Sequence, residues 1–429
     1  MGRSGSRVSQ GAAGKTRLYV LIAIFIALFG VALPRWFYQT KISQVKQALG
    51  RQDNRLALQR VDQLERWFGA NAESSLLAAR AYRRLADLSA FQRKIDRAKG
   101  LKGDPAWVRH EENLKDASLG LVSGLPSKFD AMLKERPEDF EETADAILQG
   151  LLLQQDIDNA LKVLVVWESQ SPDSPGVPLY HGVLALRRRD WKMARDRLEP
   201  AFERHPNFVP YLLQLGITYS GLREDQLAAD RLERYLAHMP SDTNASIKYA
   251  DVLTRLGRGE DALKVLESLI SAGNGSIDIR LQAGQLYLDQ QKPDRTLELL
   301  AKSARAWPED AALASAMSRA YALKGDDEKA SLYADIASKN QKELEKADSM
   351  YFALMGKPTC TADECYELGH LLLHKQSREN GIYWLEAALR LDPSHQGAHR
   401  DMAHFYRQSD QPRLAQVHRS YLKPETEPP

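Results

Sequence analysis

The stretch that decides the fold runs from Tyr211 to Pro240 and reads YLLQLGITYSGLREDQLAADRLERYLAHMP. Apolar residues recur in its first half at three- and four-residue spacing, at Leu212, Leu215 and Tyr219. The same spacing returns in its second half, at Ala228, Leu232 and Leu236. Each spacing is that of one face of an amphipathic helix. Pro240 cannot extend the second helix, because proline lacks an amide donor and clashes with the preceding turn. The stretch therefore predicts a pair of helices.

The same pattern returns every 34 residues along the chain. A small residue occupies one fixed position in the first helix, at Gly182, Gly216, Ala250 and Gly284. A second small residue lies twelve positions later, at Ala194, Ala228 and Ala262. We expect these residues to face each other where the two helices approach closely, with Ala228 opposite Gly216, because larger side chains would force the helices apart. Each pair leaves apolar surface bare at both ends, so neighbouring pairs must stack to cover it.

A 34-residue period with two helices per unit resembles the tetratricopeptide repeat (TPR) family. The resemblance implies an all-α fold, a right-handed solenoid of helical hairpins, with about eleven units over residues 38–422. It also implies a concave groove that binds other proteins. Gly369 takes the small-residue position in the C-terminal units, where it follows Ser318 by 51 residues instead of 34. The chain then divides into a basic tail (1–17), a transmembrane anchor (18–38), divergent repeats (39–140), a regular array (141–342), an insertion (343–362), C-terminal repeats (363–422) and a Pro-rich tail (423–429).

An unbroken apolar run near the N-terminus predicts the transmembrane helix. Between Arg17 and Arg35 lie 17 uncharged residues, of which 15 are aliphatic or aromatic. A helix of that length spans about 25 Å, the short end of what crosses a hydrocarbon core. Three aromatic residues follow, as at a membrane interface: Trp36, Phe37 and Tyr38. The alternative is a signal peptide cleaved near Ala32. Pro34 just beyond that site, and a first repeat helix expected to begin by about Ile42, favour the retained anchor.

The charges that flank this run do not decide its orientation. Four basic residues precede it, at Arg3, Arg7, Lys15 and Arg17, and four follow within a similar distance, at Arg35, Lys41, Lys46 and Arg51. Equal counts give no preference under the positive-inside rule. Because a short N-terminal tail is more often kept in the cytoplasm, we expect a single-pass membrane protein whose repeats lie outside the cytoplasm, in the periplasm.

Positive charge is concentrated in the first third of the chain. Residues 1–128 hold 22 basic and 10 acidic side chains, whereas the remainder holds 37 basic and 47 acidic ones. Such a surface would favour anionic lipid headgroups or an acidic partner, and a solvated arginine-rich helix surface is the alternative. Nucleic-acid binding is not expected, because no motif that reads RNA or DNA surrounds these residues: Arg80, Arg83, Arg84, Arg93, Lys94 and Arg97.

The chain has two cysteines, Cys360 and Cys365, and the histidines His370 and His374 follow them. In an oxidising compartment the cysteines are expected to form a disulfide. The alternatives are two free thiols, or a zinc site made by the two cysteines and the two histidines. The disulfide is favoured, and no metal or other cofactor is expected.

The resemblance places both histidines on the concave groove. Polar residues converge at that end of the array and predict a surface for an acidic or pH-sensitive partner: His370, His374, Arg400, His404 and Arg407. Ordinary exposed polar residues are the alternative. Earlier groove positions lack the lysine and asparagine pattern with which some members of the family clamp a carboxylate terminus: Val183, Arg187, Ile217, Gly221, Asp251, Arg255, Gln285 and Asp289. An extended or helical segment of another protein is therefore the expected partner.

The sequence contains no serine elbow, no metalloprotease helix and no dinucleotide fingerprint, so an enzyme is not expected. The favoured function is a membrane-anchored scaffold or adaptor that binds partner proteins during assembly of an envelope, secretion or maturation complex. Two alternatives stay open. One is a soluble periplasmic or secreted binding protein released by signal cleavage, and the other is a metal-binding protein that uses the Cys/His cluster.

Overall fold

The computed structural model describes residues 33–423 except 123, 274, 356–359, 376–377 and 409–410. The described residues form α-helices, one short 3-10 helix at Pro137–Asp139, and no strand. The helices are α1 (Leu33–Gly50), α2 (Asn54–Phe68), α3 (Ala72–Arg84), α4 (Leu88–Gly100), α5 (Pro105–Ser118), α6 (Leu125–Glu135), α7 (Phe140–Leu153), α8 (Ile157–Gln170), α9 (Gly176–Arg187), α10 (Trp191–Arg204), α11 (Pro210–Leu222), α12 (Asp225–His238), α13 (Thr243–Arg255), α14 (Gly259–Ser271), α15 (Ile277–Asp289), α16 (Pro293–Ala306), α17 (Ala311–Leu323), α18 (Asp327–Met355), α19 (Ala362–Lys375), α20 (Arg378–Leu391), α21 (Gln396–Gln408) and α22 (Pro412–Arg419).

These helices follow one another as eleven pairs over the described residues, as the repeat period predicted. The all-α, TPR-like array of helix pairs is therefore confirmed. The chain forms two compact units, one up to Val252 and one from Leu253 onward. We call them the N-terminal unit and the C-terminal unit.

One turn conformation recurs with the period of the repeat. A residue with φ between 56° and 74° ends the turn inside successive pairs, at Gln155, Arg189, Arg223, Gly257, Gln291 and Gly325. The same spacing links Gln52, Ala86 and Gly120, which also have positive φ. In several pairs the next residue is an aspartate that caps the second helix by accepting a backbone N–H, at Asp53, Asp87, Asp156 and Asp190. The repeats before residue 140 diverge in sequence yet keep this turn.

The small residues of the pattern lie at close helix contacts, and all eight that were predicted to do so are buried: Gly182, Gly216, Ala250, Gly284, Ala194, Ala228, Ala262 and Gly369. The residue twelve positions later lies at this contact in some pairs: a Cβ on Gly284 would lie 3.4 Å from Thr296, and one on Gly369 would lie 3.0 Å from the carbonyl oxygen of Gly381. In two other pairs a leucine lies closer. A Cβ on Gly216 would lie 2.7 Å from Cγ of Leu232, and one on Gly182 would lie 2.6 Å from Leu198. The leucine sixteen positions later fills the contact, whereas Ala228 lies one helical turn before that leucine and is itself fully buried.

The predicted insertion at 343–362 is mostly a longer helix. Helix α18 continues for 29 residues, from Asp327 to Met355. No glycine or proline interrupts the sequence between Asp326 and Met355, so nothing in it ends the helix at the length that the other repeats have. The shift in the repeat period therefore comes from extending the second helix of one pair.

Most of the predicted anchor lies outside the described residues, which begin at Leu33, as does the basic tail 1–17. Among the helices that the structure describes, none is long and apolar enough to cross a membrane. The first repeat helix was expected to begin by about Ile42, and α1 already includes Leu33. Phe37 and Tyr38 belong to the first helix pair, where each packs within 6 Å of the ring of Phe68 on α2.

Candidate functional site

The C-terminal unit brings three of the predicted groove histidines together. His370 and His374 lie one turn apart on α19, with ring centroids 4.6 Å apart. The ring of His404, on α21, lies 6.1 Å from that of His374. The spacing of four residues on one helix places the first two rings on one face. The convergence that the sequence predicted is therefore present for these three side chains.

A buried carboxylate, which the sequence analysis missed, joins the two histidines. Asp401 on α21 lies with Oδ2 2.6 Å from Nδ1 of His370 and with Oδ1 3.6 Å from Nε2 of His374. Burial alone would raise the pKa of Asp401, but the hydrogen bond from His370, the nearby ring of His374 and the charge of both histidines lower it to about 2. Asp401 is therefore ionised near neutral pH. We call His370, His374 and Asp401 the histidine–aspartate cluster.

One wall of this cluster is aromatic. The ring of Trp307 lies 5.7 Å from that of His374 and 5.2 Å from that of His404. Burial, followed by the charges of His374 and Arg407, lowers the pKa of His404. His404 is therefore held neutral, with its Nδ1 3.3 Å from Nη2 of Arg407.

The predicted arginines contribute less directly to this end of the groove. Arg407 is exposed and reaches the cluster only through His404. Arg400 lies on α21 close enough to Tyr366 for its charge to act on that phenol. No sequence signal marked Asp401 and Trp307: Asp401 lies on a different helix from His370 and His374, and Trp307 directly follows α16.

The two cysteines lie side by side at the start of α19. The Sγ atoms of Cys360 and Cys365 are 2.8 Å apart, and both residues are present as thiols. Burial, and then the hydrogen bond to Cys360, raises the pKa of Cys365 to about 12. In the described part of the chain, the metal-ligating side chains that cluster are His370, His374 and Asp401, so the proposed mixed Cys/His zinc site is not what the fold assembles. The disulfide remains a prediction.

We expect Cys360 and Cys365 to be joined in protein taken from its native host if the repeats lie outside the cytoplasm, since contacting thiols oxidise readily there. The measurement is alkylation in denaturant without reductant. Denaturant is needed because thiolate is the reactive form, so a buried thiol of raised pKa would escape the reagent even when reduced. We expect that neither cysteine is labelled before reduction and that both are labelled after it. Two labels without reductant would contradict the extracytoplasmic placement.

The N-terminal unit has a cavity of about 440 Å³ lined by the first helices of three successive pairs. Its walls are partly apolar and partly polar, with Leu152, Leu179, Val183, Arg187, Leu213 and Gln214 among them. Two of these, Val183 and Arg187, are residues that the sequence analysis placed on the groove. The cavity is therefore the groove surface of these repeats.

A turn of the same chain reaches this cavity. Gln52 and Asn54, at the α1–α2 turn, are among its lining residues. The backbone N–H of Val209 donates to the carbonyl of Arg51 at 3.0 Å. Asp53 lies 2.8 Å from Nδ1 of His238, and Nε2 of Gln52 donates to Asp145 at 3.5 Å. The groove thus already holds a short segment of polypeptide by backbone and side-chain hydrogen bonds.

Three arginines of the basic first third are buried and paired with acids. The side chains of Arg80, Arg83 and Arg84 are 11%, 1% and 9% exposed. Arg80 contacts Glu111 at 2.6 Å, and Glu142 accepts from both Arg83 and Arg84. These arginines are therefore unavailable to lipid headgroups or a partner. The sequence suggested either a surface for lipid headgroups or an acidic partner, or a solvated helix surface. Neither interpretation holds for these three arginines, because both assumed exposed side chains.

No family model matches the chain, and no curated protein matches it either. Among solved structures it is similar to MamA at a TM-score of 0.36 and 20% identity, over 40% of this chain and 94% of that one. A tetratricopeptide repeat protein from Parabacteroides merdae gives 0.36 and 13%, over 68% and 99% of the two chains. PilF from Pseudomonas aeruginosa gives 0.32 and 19%, over 52% and 94%. Likenesses this weak carry no argument about this chain, whose fold rests on its own helix pairs.

Proposed function

We propose that this protein is a scaffold or adaptor that binds an extended segment of a partner protein in the groove of its helix pairs, during assembly of an envelope, secretion or maturation complex. The observation that carries the proposal is the α1–α2 turn at the cavity of the N-terminal unit. There the backbone N–H of Val209 donates to the carbonyl of Arg51, and Asp145 and His238 contact the side chains of Gln52 and Asp53. A surface that holds one polypeptide segment in this way has the donors and the apolar walls to hold another.

Site-specific photocrosslinking tests this proposal in the full chain in its native host. A photoreactive phenylalanine analogue replaces Val183, which lines the cavity on α9. The matched control carries it at Met193, which is 50% exposed on the second helix of the same pair and does not line the cavity. We expect partner crosslinks from position 183 and few from position 193. Crosslinks only from position 193 would place the binding surface elsewhere.

We further propose that residues 18–38 anchor the protein in a membrane, with the repeats outside the cytoplasm. The aromatic residues at the end of the array next to this segment support an interfacial position. Trp36 and Trp67 are 64% and 71% exposed, and Phe37 packs against Trp67 with centroids 5.6 Å apart. Mass spectrometry of the mature N-terminus separates this arrangement from the soluble alternative, because signal cleavage near Ala32 would remove residues 1–32.

A further inference from the structure

The proposed binding of a partner protein does not explain why two histidines and a buried carboxylate meet in the histidine–aspartate cluster. We propose that His370, His374 and Asp401 form a binding site for a divalent transition metal ion, and that zinc is the ion that suits these donors. Two imidazoles and one carboxylate are a common ligand set for zinc, whereas calcium and magnesium prefer oxygen donors throughout.

The distances between donor atoms fit such an ion. One donor atom from each of the three residues lies within 4.8 Å of the other two. Ligands of a tetrahedral zinc ion at normal bond lengths are about 3.3 Å apart. The 3.6 Å between Nε2 of His374 and Oδ1 of Asp401 is close to that value. The 2.6 Å between His370 and Asp401 would open by several tenths of an ångström, which the ring of His370 can accommodate because 42% of its side chain is exposed.

One ligand atom is otherwise unexplained. Nε2 of His374 is buried and has no hydrogen-bond partner. A buried polar nitrogen without a partner is costly, and it calls for a ligand, an ion or a water molecule. The nitrogen lies on the Asp401 side of its ring, so an ion between the two would satisfy it. The ring of Trp307 also packs against His374, with centroids 5.7 Å apart.

Among the residues that the structure describes, the neighbouring groups leave these three as the ligand set. His404 has Arg407 at Nδ1 and a backbone hydrogen bond with Ala306, so neither ring nitrogen is left for an ion. The sulfurs of Cys360 and Cys365 contact each other and are not part of the cluster. Three protein ligands leave one position of a tetrahedral ion for water or for a donor atom of a bound molecule.

Titration calorimetry with zinc chloride tests the site in the full chain, purified without a histidine tag and stripped of metal with a chelator. The protein carries Cys360→Ser and Cys365→Ser, so that thiols cannot supply the binding. We expect one zinc ion per chain. Replacing a residue that hydrogen-bonds to a metal ligand typically weakens metal binding roughly 10–100-fold. Removing a ligand itself should weaken metal binding by more than that. His374→Gln and Asp401→Asn are therefore each expected to reduce the affinity by over a hundredfold.

The matched control is His181→Gln. His181 also lies near a carboxylate, with Nε2 3.6 Å from Glu168, but in a different repeat and without a second histidine. Its replacement should leave zinc affinity unchanged. Circular dichroism of each variant checks that the helices are intact.

A second measurement does not depend on the folding of the ligand-substituted variants. In the chain with both cysteines replaced but all histidines present, zinc is expected to slow modification of His370 and His374 by diethyl pyrocarbonate, and to leave His181 unaffected. The proposal is overturned if this chain shows no saturable zinc binding, if binding survives both ligand substitutions, or if zinc protects other histidines instead.

Discussion

Glu142→Ala is expected to destabilise the N-terminal unit by about 3–5 kcal/mol, the cost typical of removing one partner from a buried ion pair. Glu142 accepts hydrogen bonds from Arg83 and Arg84, and the three side chains are only 7%, 1% and 9% exposed. Burial alone would raise the pKa of Glu142, but the charges of Arg84, Arg80 and Arg83 outweigh it and hold that pKa well below its usual range. Without the carboxylate, Arg83 and Arg84 would keep their charge in the protein interior with too few partners.

Native-state hydrogen exchange of α3 and α7 in the full chain measures this loss locally, which matters because a long repeat array need not unfold in one step. Glu141→Ala is the matched control, since Glu141 is the exposed neighbour on the same helix and carries the same charge. Its effect should stay within about 0.5 kcal/mol. Equal effects of the two substitutions would show that the ion pairs contribute little.

The same carboxylate gives the N-terminal unit a dependence on pH. Because the pKa of Glu142 is lower in the folded state than its usual 4.5, its contribution is complete above that value and is lost as the pH falls toward the folded-state pKa. The difference in stability between the wild type and Glu142→Gln is therefore expected to stay constant from about pH 7 to pH 5 and to narrow as the pH falls further, to about pH 3. A difference that widened with acid would contradict this assignment.

Gly150→Ala is expected to destabilise the packing of α5 against α7 by about 2 kcal/mol. A Cβ at position 150 would lie 2.0 Å from the backbone oxygen of Ala117 and 3.0 Å from Leu125. A backbone oxygen cannot rotate away, so the two helices must separate. Overpacking of this kind costs roughly 1–3 kcal/mol or more, while alanine regains up to about 1 kcal/mol of helix propensity. The overpacking term is the larger of the two.

Gly100→Ala is the control for this substitution. Gly100 is the last residue of α4, and a Cβ there meets nothing within 4 Å. It should be neutral or slightly stabilising, since alanine restricts the unfolded chain. Thermal denaturation followed by circular dichroism compares the two variants. An unchanged midpoint for Gly150→Ala would mean that α5 and α7 do not approach as closely as the structure places them.

The helix pairs and their close contacts could be predicted because their signals are local. A helix face is defined by residues three or four apart, so the pattern around Gly216 and Tyr219 predicted both the helix and its buried side. The partner of Gly216 was harder to predict. Both Ala228 and Leu232 lie on the buried face of the next helix, and only the angle between the helices determines that Leu232 reaches the glycine.

The candidate sites could be predicted only in part, for a related reason. Charge in the sequence does not reveal burial, so Arg83 was interpreted as a surface residue although Glu142, 59 positions later, pairs with it in the interior. The position of the histidines at the end of the groove was predicted from the register of the repeats. The carboxylate that contacts His370 and His374 was not predicted. Asp401 follows His370 by 31 residues and lies on another helix.

The sequence by itself determined that this protein is an array of helix pairs with a 34-residue period, and it determined which small residues are buried between them. Those features depend on helical periodicity and side-chain size, which act over a few residues. Tertiary structure alone decided which charges are paired in the interior, that the α1–α2 turn reaches the groove, and that His370, His374 and Asp401 meet. The physical reason is that these contacts join residues of different helices, and the packing angles that bring them together are set by the whole stack of side chains in each unit.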